Sequence, residues 1–311
     1  MTALVLGVFV ATLVLHTAPR LVRAEWVRRA PGLGILAWQM LVYATVLSMG
    51  LVGLTWMLHW DSTHAIICIA WRHCLDALRG DHGPRVQLVA VLGAVLLMVM
   101  ASRLLVAAYR LARTEHRQRR LLLTMIRLVG SRLPALGATV VPSARPAACL
   151  VPGGGAEVVV TSAAVLRLSP AELRAVLAHE RAHACGHHYW LLRSVRLLDR
   201  AFPWLPMFGL AAQQVRRLVE LRADEIASRS TQPQTLARAL VTLATAWPGQ
   251  HPAAGGMLAA DGGDTAERLD RLLQPPQPLP RAMAYGLAVL LPLLPLLPVG
   301  IALVDRYVAF G

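Results

Sequence analysis

Charge is scarce in this chain. Only 15% of its 311 residues are charged, against 56% hydrophobic, a balance that argues against an ordinary soluble protein of this size. Acidic residues are the scarcer sign, 17 Asp and Glu against 31 Lys and Arg, for a formal net charge of +14. No basic region precedes the first apolar stretch, which argues against a secretory signal. There is no internal repeat and no phosphate-binding glycine loop. No nucleic-acid reading module accompanies the basic runs, so no direct nucleic-acid partner is expected.

What the chain has instead is four long apolar stretches, at about 2–18, 33–58, 86–108 and 282–304. Each approaches or exceeds the ~20 residues that cross a bilayer core. Arg20, Arg23, Arg28 and Arg29 follow the first, and Arg110, Arg113, Arg117, Arg119 and Arg120 follow the third. Cytoplasmic loops carry the excess of basic residues. This orientation puts the N-terminus outside, loop 19–32 in the cytoplasm and loop 59–85 outside. The predicted organisation is three transmembrane helices over 1–108, a cytoplasmic domain over 109–280, and a fourth span with a short external tail over 281–311. The basic run after the third span is expected to anchor that helix at anionic headgroups.

Several residues in the spans have expected roles. Arg103 should snorkel to the inner interface, Gln39 should hydrogen-bond between helices, and Pro292, Pro295 and Pro298 should bend the fourth span. Cys68 and Cys74 fall in the external loop, where a bridge is chemically allowed given a turn between them. Cys149 and Cys185 should be reduced, with Cys185 a small core residue.

The most informative string is His179-Glu180-Arg181-Ala182-His183. It reads H-E-x-x-H, the pattern of a zinc hydrolase. Residues four apart share one face of a helix, so both imidazoles can reach one metal ion, with Glu180 beside them. Ser169-Pro170-Ala171-Glu172 is a capping box with proline at the first helical position. Leu173, Val176 and Leu177 form the apolar stripe that follows. Before it, Glu157–Thr161 reads as a strand bounded by Gly153-Gly154-Gly155. Ala138–Pro142 and Ala148–Leu150 are weaker strand candidates. Tyr189–Phe208 is unusually apolar and reads either as core or as a segment resting on the inner leaflet. Pro248–Gly263 reads as a mobile loop.

A third ligand is needed. The three-histidine extension H-E-x-x-H-x-x-G-x-x-H finds Gly186 in place but Tyr189 at the last position. His187 and His188 are out of register, and either is a lesser ligand candidate. On the helical run from Val215, Glu220 and Asp224 are four apart and share one face. Glu220 can bind the metal while Asp224 orients a ligand histidine through its second ring nitrogen. A charged face of Glu and Arg pairs is the plain alternative.

With these residues in place, the chain resembles the integral-membrane gluzincin peptidases, which include the HtpX-like and CAAX-prenyl proteases and the BlaR/MecR-type antirepressor peptidases. The likeness runs over about 135–275, through the lead-in Leu168–His179, His179–His183, Glu220–Asp224 and the Glu267–Leu272 helix with an Asp264 cap. It implies a mainly α membrane protein: four spans plus a cytoplasmic α+β zincin domain inserted between the third and fourth. It further implies one catalytic zinc held by His179, His183 and Glu220, with Glu180 as general base. HtpX-like members usually carry an Asn-Ala pair on the edge strand near the site. That stretch here reads Pro146–Leu150, which favours the BlaR/MecR-like branch.

The branch implies an endopeptidase at the cytoplasmic face that cleaves a protein such as a transcriptional repressor. No penicillin-binding domain follows the fourth span, so any sensing is expected to use loop 59–85 or a partner. The oxyanion donor stays open among His187, His188, Tyr189 and nearby arginines. Two other functions stay open: an HtpX-like quality-control or processing protease, and a catalytically silent zinc-bound membrane scaffold. An intact Glu180 argues against the scaffold, since a structural zinc site needs no base.

Overall fold

The computed structural model describes residues 2–58, 84–151, 157–245 and 262–308. The Cys68–Cys74 bridge, nearly all of loop 59–85, the glycine run 153–155, most of 248–263 and the extreme C-terminal tail lie outside the described residues.

The described chain is mostly helical, with one small sheet. Four helices are long and apolar enough to cross a membrane: Thr2–Arg23, Pro31–Met57, Leu88–Val129 and Arg281–Val304. In the labels used from here, α1 is Thr2–Arg23, with a π-helical segment at Leu13–Thr17, and α2 is Glu25–Arg29. Helix α3 is Pro31–Leu58 and α4 is Pro84–Val129. The fourth apolar segment is α11 (Arg281–Leu290), a 3₁₀ segment Leu291–Leu296 and α12 (Leu297–Val308). The prolines therefore break the helix locally: Pro292 and Pro295 remove backbone donors inside the 3₁₀ stretch. Leu105, Met98 and Leu88 on α4 and Val289, Leu290 and Leu296 on the last segment are exposed, large apolar side chains of the kind a lipid phase would cover.

Helix α4 does not end at Ala108. It runs 46 residues without interruption, about 69 Å at 1.5 Å per residue. Its far end lies under the sheet, where Ile126, Leu122 and Leu123 pack on Cys149, Val151 and Val159. The strands are β1 (Ser131–Leu133), β2 (Ala138–Val141), β3 (Ala148–Val151) and β4 (Glu157–Thr161). Their order is β1-β2-β4-β3. Strand β4 is parallel to β2, with Val140 opposite Val160, and antiparallel to β3, with Leu150 opposite Val158. The three strand candidates are all present, and the β-branched run of β4 lies inside the sheet, covered on both faces.

After the short α5 (Ser162–Arg167) come α6 (Pro170–Cys185), α7 (His188–Ala201), α8 (Pro206–Ala227), α9 (Pro233–Thr245) and α10 (Gly262–Leu273). Helix α6 covers the second face of the sheet: Leu173, Val176 and Leu177 pack with Ala138, Ala148, Val158 and Val160. Its start carries the expected capping box, Ser169 N–H to Glu172 at 2.9 Å and Glu172 N–H to Ser169 Oγ at 3.3 Å. Asp264 lies within the first turn of α10, not ahead of it as expected for a cap.

One core joins the apolar helices to the rest. Trp38, Leu41 and Val42 of α3 are buried with Phe208, Ala211, Val215 and Leu218 of α8. The helices approach closely at Gly34, where a Cβ would stand 2.7 Å from Val27 Cγ1 and 3.1 Å from Leu218 Cδ1. Gln39 is buried and bridges to α7: its amide donates to the Leu191 carbonyl at 3.0 Å and its oxygen accepts from Ser194 at 3.0 Å. Arg103 donates Nε–H to the Ala201 carbonyl at 3.0 Å and lies 4.7 Å over the Trp204 ring.

Of the apolar stretch 189–208, Val195, Leu198, Phe202, Met207 and Phe208 are core, while Trp190 and Trp204 are exposed. Cys149 is buried and Cys185 is exposed, both free. Cys185 is thus not the core residue expected of it, because it falls on the solvent side of the last turn of α6.

Replacing Gln39 by Leu should remove the two bonds that tie α3 to α7, while Ser194 keeps its bond to the Leu191 carbonyl at 2.8 Å, so the cost should be that of lost hydrogen bonds, about 1 kcal/mol. Unfolding of the detergent-solubilised chain would show this as a lowered midpoint; an unchanged midpoint would remove the bridge from the stabilising contacts.

Candidate metal centre

Helices α6 and α8 cross at the motif. The capped α6 puts His179 and His183 one turn apart, and α8 brings Glu220 against them. The Nε2 atoms of the two histidines are 3.1 Å apart. Glu220 Oε2 is 3.4 Å from His179 Nε2, and Oε1 is 3.5 Å from His183 Nε2. The ligand atoms of the three residues all lie within 4.8 Å of one another. Tetrahedral donors about 2.0–2.1 Å from one zinc ion stand about 3.3 Å apart; the two histidine nitrogens are close to that spacing, and each has a different Glu220 oxygen as its near neighbour. Charge agrees: Glu180, Glu220 and Asp224 set three carboxylates against the single guanidinium of Arg268, an excess that a divalent cation would match.

Behind each histidine stands a partner. Asp224 Oδ1 is 2.8 Å from His179 Nδ1, which places the carboxylate behind the ring and leaves Nε2 toward the cluster. His188 Nδ1 is 3.0 Å from His183 Nδ1. With His183 donating across that contact, its Nε2 keeps a lone pair facing Glu220. Reaching this position requires two unusual backbone features. His187 adopts a left-handed conformation, φ 51°, which turns the chain back after α6. Gly186 must lack a side chain, since a Cβ would stand 2.2 Å from His188 Nε2. The glycine that matches the three-histidine pattern therefore serves a different end, the seating of His188.

Asp224 is held in turn by Arg268 of α10, whose Nε and Nη2 bond its two oxygens at 2.7 and 2.8 Å. The Nη1 of Arg268 is 3.2 Å from Glu220 Oε2. Arg268 is only 2% exposed and Asp224 3%, so the pair is desolvated and bidentate, the geometry that best offsets burial of charge. Glu267 beside it bonds Arg217 of α8 and lies 3.3 Å from Arg28 of α2, which fastens α10 in place.

Burial pushes the Glu180 carboxyl up to about 7, against the pull of His179 and with Glu220 adding to the rise. The backbone N–H of Leu150 on β3 bonds it. Burial likewise keeps His183 and His188 neutral, down at about 4. For His179 burial opposes the charge, yet hydrogen bonds to Asp224 and Glu220 lift it to about 10; metal binding releases such a proton. Burial also opposes ionisation of Glu220, but His179 and Arg268 hold it down at about 2.

The structure brings together all five residues singled out by the sequence. Two further members of the cluster are not marked by sequence spacing: His188, which stands behind His183 rather than as a ligand or oxyanion donor, and Arg268 of α10. His188 and Tyr189 are committed elsewhere than to an oxyanion, His188 behind His183 and the Tyr189 hydroxyl donating to Glu115 at 2.9 Å.

Residues 112–209 match the profile of peptidase family M48. The match begins on α4, covers the sheet and the H-E-x-x-H helix, and ends before Glu220. It supports a zinc metallopeptidase of a membrane type. The comparisons with curated proteins and with solved structures returned no match.

Arg268→Ala would strand a buried carboxylate, and removal of one partner of such a pair costs about 3–5 kcal/mol. Metal affinity should fall by about 10–100-fold, as for other losses behind a ligand. Metal analysis of the purified variant together with its unfolding midpoint would check this; native zinc content with native stability would exclude Arg268 from the site's support.

Proposed function

We propose that this chain is a membrane-embedded zinc endopeptidase in which His179, His183 and Glu220 hold the metal and Glu180 is the general base. The observation that carries the reading is the set of three donors from two helices at tetrahedral spacing, with a buried carboxylate beside them whose pKa lies near neutrality. Zinc so held would supply a Lewis acid for the peptide carbonyl and lower the pKa of a water toward ~7. Glu180 takes a proton from the attacking water as its oxygen bonds the carbonyl carbon. It then passes the proton to the amide nitrogen as the C–N bond breaks. A base works best with its pKa near the operating pH, which burial achieves for Glu180. Asp224 and His188 fix the tautomers of the two ligand histidines. Strand β3 lies at the sheet edge nearest Glu180, so its outward N–H and C=O groups can align a peptide as an added strand.

The four apolar helices and the arginine runs at 20–29 and 110–120 support a multi-pass protein of the cytoplasmic membrane, N-terminus outside and metal centre on the cytoplasmic side. The zincin domain is then the insertion between the third and fourth spans. Resemblance to BlaR/MecR-type peptidases supports regulated cleavage of a repressor. A second reading, processing or quality control of membrane proteins, is favoured by the close contact of α8 with the start of α3 at Gly34, which would keep the centre near the membrane plane.

Glu180→Gln should abolish cleavage while zinc stays bound, and Glu220→Ala should remove most of the zinc. Persisting proteolysis in the first variant would overturn the mechanism, and full occupancy in the second would overturn the ligand set. Comparing intact proteins in cells carrying the active chain or Glu180→Gln separates the substrates: one accumulating soluble repressor is expected for the first reading, many accumulating membrane proteins for the second.

A further inference from the structure

Away from the metal centre, a pocket of about 530 Å³ opens where α4 passes the end of α7. Its walls include Ser102, Arg103, Val106, Arg110, Thr114 and Arg200. No carboxylate lines it. Arg103, Val106, Arg110 and Thr114 recur at helical spacing, so they form one stripe on α4, and Arg200 faces them from the last turn of α7. The hydroxyl protons of Ser102 and Thr114 go to their own helix, to Val99 at 2.9 Å and Arg110 at 2.8 Å, so the guanidinium groups are the pocket's ionic donors. Arg103 is held by the Ala201 carbonyl and the Trp204 ring. Nearby Arg196 is kept below the usual arginine range by burial and by the charge of Arg216, against the pull of Glu115, with Arg200 adding to the fall.

Position along α4 indicates what would supply the anion. Residues 86–102 carry no charge and rise about 26 Å, close to the ~30 Å of a bilayer's hydrocarbon. Arg103 therefore begins at headgroup depth. Just around it, Val99, Leu105 and Val106 are exposed, as acyl chains require. A phosphate flanked by apolar tails meets both requirements at once; a free phosphate meets only the first.

We propose that this pocket binds the headgroup of an anionic phospholipid, its phosphate held by Arg103, Arg110 and Arg200 and an acyl chain lying along Val106. A seated lipid bridges α4 to the end of α7, the helix that begins at His188, so its occupancy bears on the support of the metal centre. The proposal rests on the membrane reading above.

The test uses the full chain in nanodiscs of phosphatidylcholine with phosphatidylglycerol, with retained lipids counted by native mass spectrometry. Phosphatidylglycerol should be retained preferentially. An arginine near a membrane surface contributes about a fivefold preference, so Arg110→Gln with Arg200→Gln should lower it about 25-fold. Arg117→Gln with Arg120→Gln removes the same charge about 20 Å past Arg103 along α4, beyond the ~8–10 Å over which salt leaves a headgroup charge felt, and should leave it within about twofold. Equal retention of the two lipids, undiminished retention in the first double variant, or an equal loss in the second would each overturn the pocket. Displacement of the lipid by millimolar inorganic phosphate would reassign it to a soluble anion. A chain that inserts but shows no preference defeats this proposal alone; a chain that fails to insert defeats the membrane reading and this with it.

Discussion

The buried pair of Asp224 and Arg268 is the constraint on which the rest of the centre depends. Two imidazoles and three carboxylates cannot be packed out of water unless each finds a partner, because an unpaired buried charge costs several kcal/mol. Arg268 supplies the cluster's guanidinium and bonds both oxygens of Asp224. Asp224 thereby stays ionised and can orient His179. The orientation of His179 thus follows from an arginine 44 residues beyond Asp224, brought in by α10.

Much of this was legible in the sequence because the signals were local. The capping box at Ser169, the four-residue spacing of His179 and His183, and the same spacing of Glu220 and Asp224 depend only on helical geometry. The strand 157–161 was readable from its β-branched run, while 138–142 and 148–150 were weaker candidates. What was not legible depends on contacts distant in sequence. Nothing in Glu267-Arg-Leu-Asp-Arg tells which arginine turns inward; that is decided by α8, where Glu267 meets Arg217 and leaves Arg268 facing Asp224. His188 was misread because its place depends on His187 taking a left-handed backbone, which few non-glycine residues adopt. Cys185 was expected inside, but lies just where the helix turns its face to solvent.

The extent of α4 was also hidden. Composition changes sharply near Ala108, from apolar to arginine-rich, and reads as a boundary. The backbone does not follow: arginine is a good helix former, and the helix continues until Gly130 and the first strand. Likewise, α3 reads as a plain apolar span. Yet Trp38, Gln39 and Gly34 give it a second task, as a wall of the core that holds α7 and α8.

The contact at Gly34 has a geometric consequence. Leu218, which it admits, lies half a turn from Glu220 on the same helix, and Gly34 lies one turn into the second span. In the membrane reading, the metal centre then has a set height above the lipid, given by packing inside the protein and independent of how strongly its surface adheres. For the proposed peptidase, that height would limit which stretches of a peptide can reach the centre.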